Sequence, residues 1–343
     1  EQTASLDDFY IVVLVIRPDK DEQGRPVVPD KTQDEIARFQ KDHPKLRVRL
    51  MNVVLPKDEA RMGNIRKLLN DAVLLRHLKR GKEVPDLIMV SNDADNKGIA
   101  PEYVKNFIEK FEQNSTTDAF IGQVDWDPES YVRNPLVHVG TRFFQYVILL
   151  AQHRSGSVFG SAGASFAFRG STYAAIDGYS AEVGGGENID LGQRIRFARA
   201  YAARHIPIQY AGARVSRLYT SSRRAERALK DGLSPMEQWD RGFSAFDDDV
   251  RKVKWEETGS MDWSNAEQVK TFVTQLEIVL NRTIKRMTTP EDRRLVQKAL
   301  GWLGIGFQFN DDGSIQITNS ERLIEKLKKY QGKGMEILKR KTT

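Results

Sequence analysis

Apolar runs typical of buried strands alternate with amphipathic helical patterns along the first 125 residues of this 343-residue chain. The run 10–16 is apolar and rich in β-branched residues, and the run 87–90 reads Leu-Ile-Met-Val. Between them, 62–79 carries apolar residues at the three- and four-residue spacing of a helix that buries one face. This alternation predicts an α/β fold with a mostly parallel, Rossmann-like central sheet flanked by helices.

Strand patterns become scarce after about residue 255. The stretches 265–287 and 290–301 have helical spacing, and the sequence Asn-Asp-Asp-Gly at 310–313 separates two short alternating runs, which predicts a β-hairpin. We therefore expect an α/β domain over 1–254 and a mainly helical C-terminal region with a short hairpin over 255–343.

The composition is that of an ordinary soluble globular protein, with 40% hydrophobic and 29% charged residues. A net charge of +6 with both signs mixed along the chain gives no reason to expect a nucleic-acid partner. The absence of cysteine excludes disulfides, thiolate metal sites and cysteine nucleophiles. The most apolar stretch, 143–151, is too short to cross a bilayer. We expect a cytoplasmic protein.

The C-terminal stretch 321–343 is basic, with eight Lys or Arg residues against three Glu. A basic amphipathic helix could contact anionic lipid at the inner face of a membrane, or an acidic partner. A solvated terminal helix accounts for the same pattern, and both interpretations stay open.

Two carboxylates, Asp93 and Asp95, follow the apolar run 87–90. In extended chain, residues two apart point to the same side, so both can converge on one hard cation such as Mg²⁺ or Mn²⁺. An ion held by two carboxylates keeps coordination positions for phosphate oxygens. The alternative is a polar turn that caps the strand.

Carboxylates also stand at the ends of two other predicted elements. Asp19 and Asp21 follow the first strand, and Glu187 and Asp190 begin a helix after the glycines at 184–186. In open α/β sheets, ligands bind beyond the carboxyl ends of the strands. The glycines allow close approach of a ligand, and the helix N-terminus favours an anion. The alternative is that the two acids only stabilise the helix start.

Taken in order, these segments resemble glycosyltransferases of the GT-A fold, most closely the large glycosyltransferase family 2. The resemblance covers roughly residues 8–225. The helix that begins Gly-Asn-Ile-Arg at 63–66 is similar to a family helix near the donor nucleotide. The motif segments are the D-x-D stretch at 87–96, the acceptor segment at 163–169 with 176–179, and Gly-Glu-Asn-Ile-Asp-Leu at 186–191.

The resemblance implies a metal-dependent enzyme that moves a single sugar from a nucleotide-diphosphate sugar to a hydroxyl of a saccharide, a lipid-linked acceptor or a small molecule. Asp93 and Asp95 would bind Mn²⁺ or Mg²⁺ together with the donor diphosphate. Donor contacts would also come from Asp19, Arg66, Arg223 and Arg224. The acceptor pocket would include Gly163, Gly185 and Gly186, and the catalytic segment would be Glu187, Asn188 and Asp190.

The chain departs from the family pattern in two places. Asn188 stands where the family has its usual acidic base, so we expect inversion with Glu187 or Asp190 as the base. A Glu-Asn pair also occurs in retaining polypeptide N-acetylgalactosaminyltransferases, which leaves the stereochemistry open. The first strand–helix unit of the family is not found before 10–16, and we expect it to be truncated or replaced.

Two other function classes remain. A non-catalytic, glycosyltransferase-like binding or scaffold protein would account for Asn188 and for the first unit that is not found. A sugar nucleotidyltransferase should carry a G-x-G-T-R-L loop after its first strand, and none is present. The Q-x-x-R-W motif of processive synthases is also absent, which favours non-processive transfer. The sequence does not specify the sugar, the nucleotide, the acceptor or the oligomeric state.

Overall fold

A computed structural model describes most of the chain. The described residues are 2–21, 23–94, 96–126, 135–136, 138–140, 142–143, 146–147, 165–184, 186–199, 206–210, 217–220, 261–284, 287 and 289–342. The chain divides into two compact units. The first comprises Glu1–Val124 and Phe159–Leu218, and the second comprises Asp125–Val158 and Tyr219–Thr343.

The first unit opens with a parallel pair of strands joined by a helix. Strand β1 (Ile11–Pro18) pairs with β2 (Val48–Leu55), and α1 (Thr32–Asp42) connects them. The connection through a helix follows from the parallel pairing, because two parallel strands cannot be joined by a tight turn. Strand β1 begins one residue after the start of the apolar run at 10–16.

The remaining strands of this part of the chain form two further sheets. They are β3 (Ile88–Ser91), β4 (Asn96–Ile99), β5 (Thr117–Ile121), β6 (Gln123–Trp126), β7 (Phe166–Arg169), β8 (Ile206–Tyr210) and β9 (Arg217–Thr220). The four-stranded sheet has the order β3-β7-β5-β8, and the three-stranded sheet has the order β4-β9-β6.

The four-stranded sheet is mixed, so the predicted mostly parallel arrangement is wrong for it. Strand β7 is antiparallel to both β3 and β5, while β5 and β8 are parallel. The apolar run Phe-Ala-Phe at 166–168 predicts a strand that is covered on both faces, but it carries no information about strand direction.

In the described part of the first unit, four helices follow α1. They are α2 (Met62–Lys79), α3 (Tyr103–Gln113), α4 (Gly170–Ala175) and α5 (Glu187–Arg199). Strand β7 divides the core between them, since successive side chains point to opposite faces. Phe166 and Phe168 join one buried cluster with Leu191 of α5, and Ala167 joins the other with Phe107 of α3. The sheet is therefore buried on both faces, as the α/β prediction requires.

The described part of the second unit contains three long helices and a hairpin. These are α6 (Ala266–Ile284), α7 (Pro290–Leu303), β10 (Gly306–Phe309), β11 (Ile315–Asn319) and α8 (Glu321–Thr342). A capping box between Thr289 and Asp292 begins α7, and β10 and β11 pair antiparallel as the Asn-Asp-Asp-Gly turn predicts.

The predicted boundary between 254 and 255 lies outside the described residues and stays a prediction. Among the helices that are described, none is both long and apolar enough to span a membrane.

The N-terminal turn of α2 lies directly against the segment that leads into α5. The Gly63 N–H donates to the Val183 carbonyl at 2.9 Å. A Cβ atom at Gly63 would stand 2.1 Å from the Ser180 carbonyl oxygen and 2.6 Å from that of Val183. Farther along α2, the Lys67 ammonium donates to the Asp177 carbonyl at 2.8 Å. Close backbone approach at Gly63 therefore fixes the start of α2 relative to the start of α5.

We expect Gly63→Ala to destabilise the protein, because the added methyl group meets two backbone carbonyls that cannot rotate away. Overpacking of this kind costs about 1–3 kcal/mol in free energy of unfolding, measurable by urea denaturation. The matched control is Gly184→Ala in the same segment, where an added Cβ meets nothing within 4 Å. Equal effects of the two substitutions would contradict this account of Gly63.

Candidate functional site

One buried guanidinium connects three elements of the first unit. The side chain of Arg66 on α2 is only 8% exposed. Its Nε donates to Glu187 Oε1 at the start of α5, at 2.8 Å, and its Nη1 donates to Ser91 Oγ at the end of β3, at 2.6 Å. Its Nη2 donates to Asp93 Oδ1. The planar fork of an arginine can serve three acceptors in fixed directions, which a lysine cannot.

The local structure of α2 places Arg66 at this position. Residues three apart lie on the same face of a helix, so Arg66 follows Gly63 on the side that faces the 180–186 segment. Asn70, one turn later, donates from Nδ2 to the Arg66 carbonyl at 2.8 Å.

A second chain of hydrogen bonds reaches the same oxygen of Glu187. Asn188 donates from Nδ2 to Glu187 Oε1 at 2.6 Å, and the Tyr179 hydroxyl donates to Asn188 Oδ1 at 2.8 Å. All three side chains are buried. Gly186, with φ of +76°, turns the chain into α5, and its carbonyl accepts from the Asp190 N–H at 3.0 Å. One oxygen of Glu187 therefore receives donors from two side chains.

The surroundings of Arg66 and Tyr179 raise the pKa of both side chains. Burial alone would lower the pKa of Arg66, but Asp93, Tyr179 and Glu187 together outweigh it, so the pKa is raised and the guanidinium stays charged. Burial raises the pKa of Tyr179 to about 12, so the phenol remains a donor near neutral pH. Two carboxylates share one guanidinium, which leaves an excess negative charge.

That excess charge is accessible mainly at Asp93. The Asp93 side chain is 39% exposed, whereas the Glu187 side chain is 9% exposed. The neighbouring residue Asn92 is also held, because the Tyr103 hydroxyl donates to Asn92 Oδ1 at 2.8 Å and lies 2.8 Å from Ser165 Oγ. Burial raises the pKa of Tyr103. The turn after β3 is thus anchored on both sides, with the Asp93 carboxylate half-exposed.

Two other predicted site residues make different contacts. Asp19 is exposed and accepts the Lys57 N–H at 3.0 Å, where it caps the short 3₁₀ turn Lys57–Glu59. Asp190 Oδ2 accepts from Arg194 Nε at 2.9 Å, one turn along α5. Among the described contacts, neither carboxylate touches Arg66.

Five predicted site residues lie outside the described part of the chain, and the predictions for them stay predictions. They are Asp95, Gly163, Gly185, Arg223 and Arg224.

Sequence reasoning missed two members of the network, Ser91 and Tyr179. Both stand within segments that carry the family resemblance, at the end of β3 and after the turn at 177–178. The turn is visible in the sequence as Asp-Gly, and both residues have positive φ in the structure. The inward direction of the Tyr179 hydroxyl has no comparable local signal.

The chemistry of Asp93 fits a hard divalent cation, because a half-exposed carboxylate offers the oxygen ligands that Mg²⁺ and Mn²⁺ prefer. Within the described residues, no group of three or more Asp, Glu, His or Cys side chains could hold a metal ion. The second predicted ligand, Asp95, is among the residues that are not described. A metal held here would therefore rest on Asp93, Asp95 and oxygen atoms of the ligand or solvent.

Comparison with known proteins gives little further guidance. No family model matches this chain. No curated protein matches it either. Among solved structures, the chain is similar to the mannosyltransferase PcManGT from Pyrobaculum calidifontis in complex with GDP-Man and Mn²⁺, with 11% sequence identity and a TM-score of 0.40 over 97% of this chain and 80% of that chain. A likeness of this size does not establish a common fold, so the proposals below rest on the residues described above.

Removal of the Arg66 charge should strongly destabilise the first unit. Arg66→Gln leaves Glu187 buried without its cation, and breaking a buried ion pair from one side costs about 3–5 kcal/mol. Adding Glu187→Gln should recover a large part of this loss, because a neutral pair of amides replaces the unpaired charge. Urea denaturation of both single variants and the double variant measures this coupling.

The control for this cycle is Arg38→Gln, which breaks an exposed ion pair with Glu35 on α1. Exposed ion pairs contribute little to stability, so Arg38→Gln should lower the free energy of unfolding much less than Arg66→Gln does. Additive losses in the Arg66 and Glu187 variants would show that the two side chains do not interact as described.

Loss of the Tyr179 hydroxyl should produce a pH-dependent change in stability. At neutral pH, Tyr179→Phe removes the donor to the buried Asn188 oxygen, which costs about 1–3 kcal/mol. The raised pKa means that the native state keeps the phenol proton longer than the unfolded chain. Its contribution is complete below about pH 10 and is lost as the pH rises through about 12. The stability gap between wild type and variant should narrow over that range, and a constant gap would contradict the prediction.

Proposed function

We propose that this chain is a metal-dependent, non-processive glycosyltransferase of the GT-A type, related to glycosyltransferase family 2. It moves one sugar from a nucleotide-diphosphate sugar to a hydroxyl acceptor. The observation that carries this proposal is the Arg66 network. Three sequence segments that separately resemble the family, at 63–66, 87–96 and 186–191, contribute Arg66, Asp93 and Glu187 to one hydrogen-bonded site.

In this proposal, the donor binds beside Asp93. Asp93 and Asp95 hold Mn²⁺ or Mg²⁺, and the bound ion supplies Lewis-acid neutralisation of the leaving diphosphate. Arg66 fixes the direction of the Asp93 carboxylate through the hydrogen bond to Oδ1. Asp19, Arg223 and Arg224 remain proposed contacts to the nucleotide and the phosphates, with Gly163, Gly185 and Gly186 near the acceptor.

The contacts of the two candidate carboxylates support a choice between them as the base. Glu187 is 9% exposed, and its Oε1 accepts hydrogen bonds from a guanidinium and an amide. Burial and the two donors on Oε1 leave this carboxylate little access to an acceptor hydroxyl, which a base must reach within hydrogen-bond distance. The Asp190 side chain is 32% exposed and makes an ion pair with Arg194. We favour Asp190 as the base of an inverting reaction and assign Glu187 to positioning Arg66.

The alternative is a non-catalytic, glycosyltransferase-like binding protein. Its support is that Arg66 already pairs with both Asp93 and Glu187 from within the protein and that an amide, Asn188, stands at the usual place of the base. This protein would bind a nucleotide sugar without transferring the sugar. We also keep the proposals of a cytoplasmic location and of a contact between the basic tail and the inner face of a membrane.

Isothermal titration with UDP and GDP, each with and without Mn²⁺, tests the donor site. We expect one nucleotide to bind more tightly with Mn²⁺, and Asp93→Asn to weaken that binding by roughly tenfold or more, since a charge-assisted contact is lost. The matched control is Asp21→Asn, because Asp21 also follows a strand and its side-chain hydrogen bonds to described residues stay within its own turn, at Gln23 and Arg25.

A turnover assay with UDP- and GDP-sugars then separates the function classes. We expect transfer of the sugar, or its slow hydrolysis, and we expect Asp190→Asn to reduce this turnover. That result supports the enzyme and its proposed base. Metal-dependent nucleotide binding without any turnover favours the binding protein. Release of pyrophosphate from a nucleoside triphosphate and a sugar phosphate would identify a nucleotidyltransferase instead. Absence of nucleotide binding under all conditions would contradict the proposed function.

A further inference from the structure

We propose that Arg66 is an internal cation that competes with the divalent metal for Asp93, and so makes metal binding depend on the nucleotide diphosphate. This inference rests on the proposed function, because it concerns the proposed metal site. It assigns Arg66 a role as a positioning residue that sets the metal affinity of Asp93.

The guanidinium is held in place by two acceptors besides Asp93. Nε donates to the buried Glu187 carboxylate and Nη1 to Ser91, and the Arg66 side chain is 8% exposed. Asp93 is the exposed member of the group, at 39%. Arg66 therefore cannot move out with Asp93 toward solvent, and a metal ion must approach a carboxylate that already has a cation on Oδ1.

Two interactions would therefore oppose the binding of a divalent ion at Asp93. Its charge repels the fixed guanidinium, and this repulsion is weakly screened because Arg66 is buried. Any movement of the carboxylate toward the ion also weakens the charge-assisted bond from Nη2. Both effects lower the affinity of the free protein for the ion.

A nucleotide diphosphate changes this balance, because its phosphates bring negative charge to the same place. The metal then binds between the phosphates and Asp93, and the guanidinium no longer faces an uncompensated cation. Metal and diphosphate should each raise the affinity for the other, since coupling between two ligands is reciprocal. The site would favour the metal–diphosphate complex over the free ion.

The decisive variant is Arg66→Gln with Glu187→Gln, which removes one positive and one negative charge and leaves the net charge unchanged. We expect this double variant to bind free Mn²⁺ about tenfold or more tightly than wild type, the factor that corresponds to one charge-assisted hydrogen bond. Titration of the full chain followed by electron paramagnetic resonance of free Mn²⁺ measures both affinities.

The matched control is Lys67→Gln with Asp71→Asn, which neutralises the adjacent ion pair on α2, 3.5 Å between charged atoms. It is also neutral in net charge and should leave the Mn²⁺ affinity unchanged. Asp93→Asn added to the Arg66 and Glu187 double variant should abolish the tighter binding, which places the ion at Asp93. Near-UV circular dichroism checks that each variant is folded.

If the double variant does not fold, Arg66→Lys provides the second test. A lysine keeps the charge but cannot donate hydrogen bonds to Glu187, Ser91 and Asp93 together. The bond to Asp93 should therefore weaken, and we expect the variant to bind Mn²⁺ more tightly than wild type. Binding to folded variants that is equal to or weaker than wild type overturns the competition.

The outcomes separate this inference from the proposed function. In one outcome, wild type binds Mn²⁺, UDP or GDP enhances this binding, and the Arg66 variants have the same Mn²⁺ affinity as wild type. That outcome would overturn only the proposed competition between Arg66 and the metal. No Mn²⁺ binding by wild type or any folded variant, with or without nucleotide, would overturn the competition and the proposed metal site together. In the expected outcome, the Arg66 variants bind Mn²⁺ more tightly than wild type, and nucleotide enhances their Mn²⁺ affinity less. That outcome supports both the competition and the proposed metal site.

Discussion

The buried charge of Arg66 is the interaction on which the site depends. A guanidinium is costly to remove from water unless every direction of its fork finds an acceptor. Here the acceptors come from the end of β3 and the start of α5, and the helix that carries Arg66 is held by the contact of Gly63 with the 180–183 backbone. Three elements that are distant in sequence must therefore take their places together, or the charge is left unpaired.

The same network explains why an amide stands at position 188. The hydrogen bonds run in one direction, from Tyr179 to Asn188 and from Asn188 to Glu187. Only a side chain with both an acceptor and a donor can join a hydroxyl donor to a carboxylate acceptor. An ionised aspartate accepts only, so it could receive the tyrosine hydroxyl but would repel Glu187. The departure from the family pattern at this position is thus consistent with its neighbours.

The sequence could predict the elements better than their arrangement. Helix α2 was expected over 62–79 and spans Met62–Lys79, because its apolar spacing is a local property. The direction of β7 was not predictable, because a fully buried strand has the same apolar pattern in either direction. Asp93 and Glu187 were identified as candidates from their positions at element ends. Their link through Arg66 was not, since Arg66 and Glu187 are 121 residues apart and ion pairing at that separation leaves no local pattern.

The position of β7 in its sheet has a consequence for the order of assembly during synthesis. β3 and β5 leave the ribosome well before β7, yet β7 lies between them in the finished sheet. Until residues 166–169 are available, the facing backbone groups of β3 and β5 have no native strand to pair with, and exposed strand edges of this kind favour association between chains. The nascent protein therefore passes through a stage in which the edges of β3 and β5 are open, and a chaperone that covers these edges during the interval would raise its folding yield.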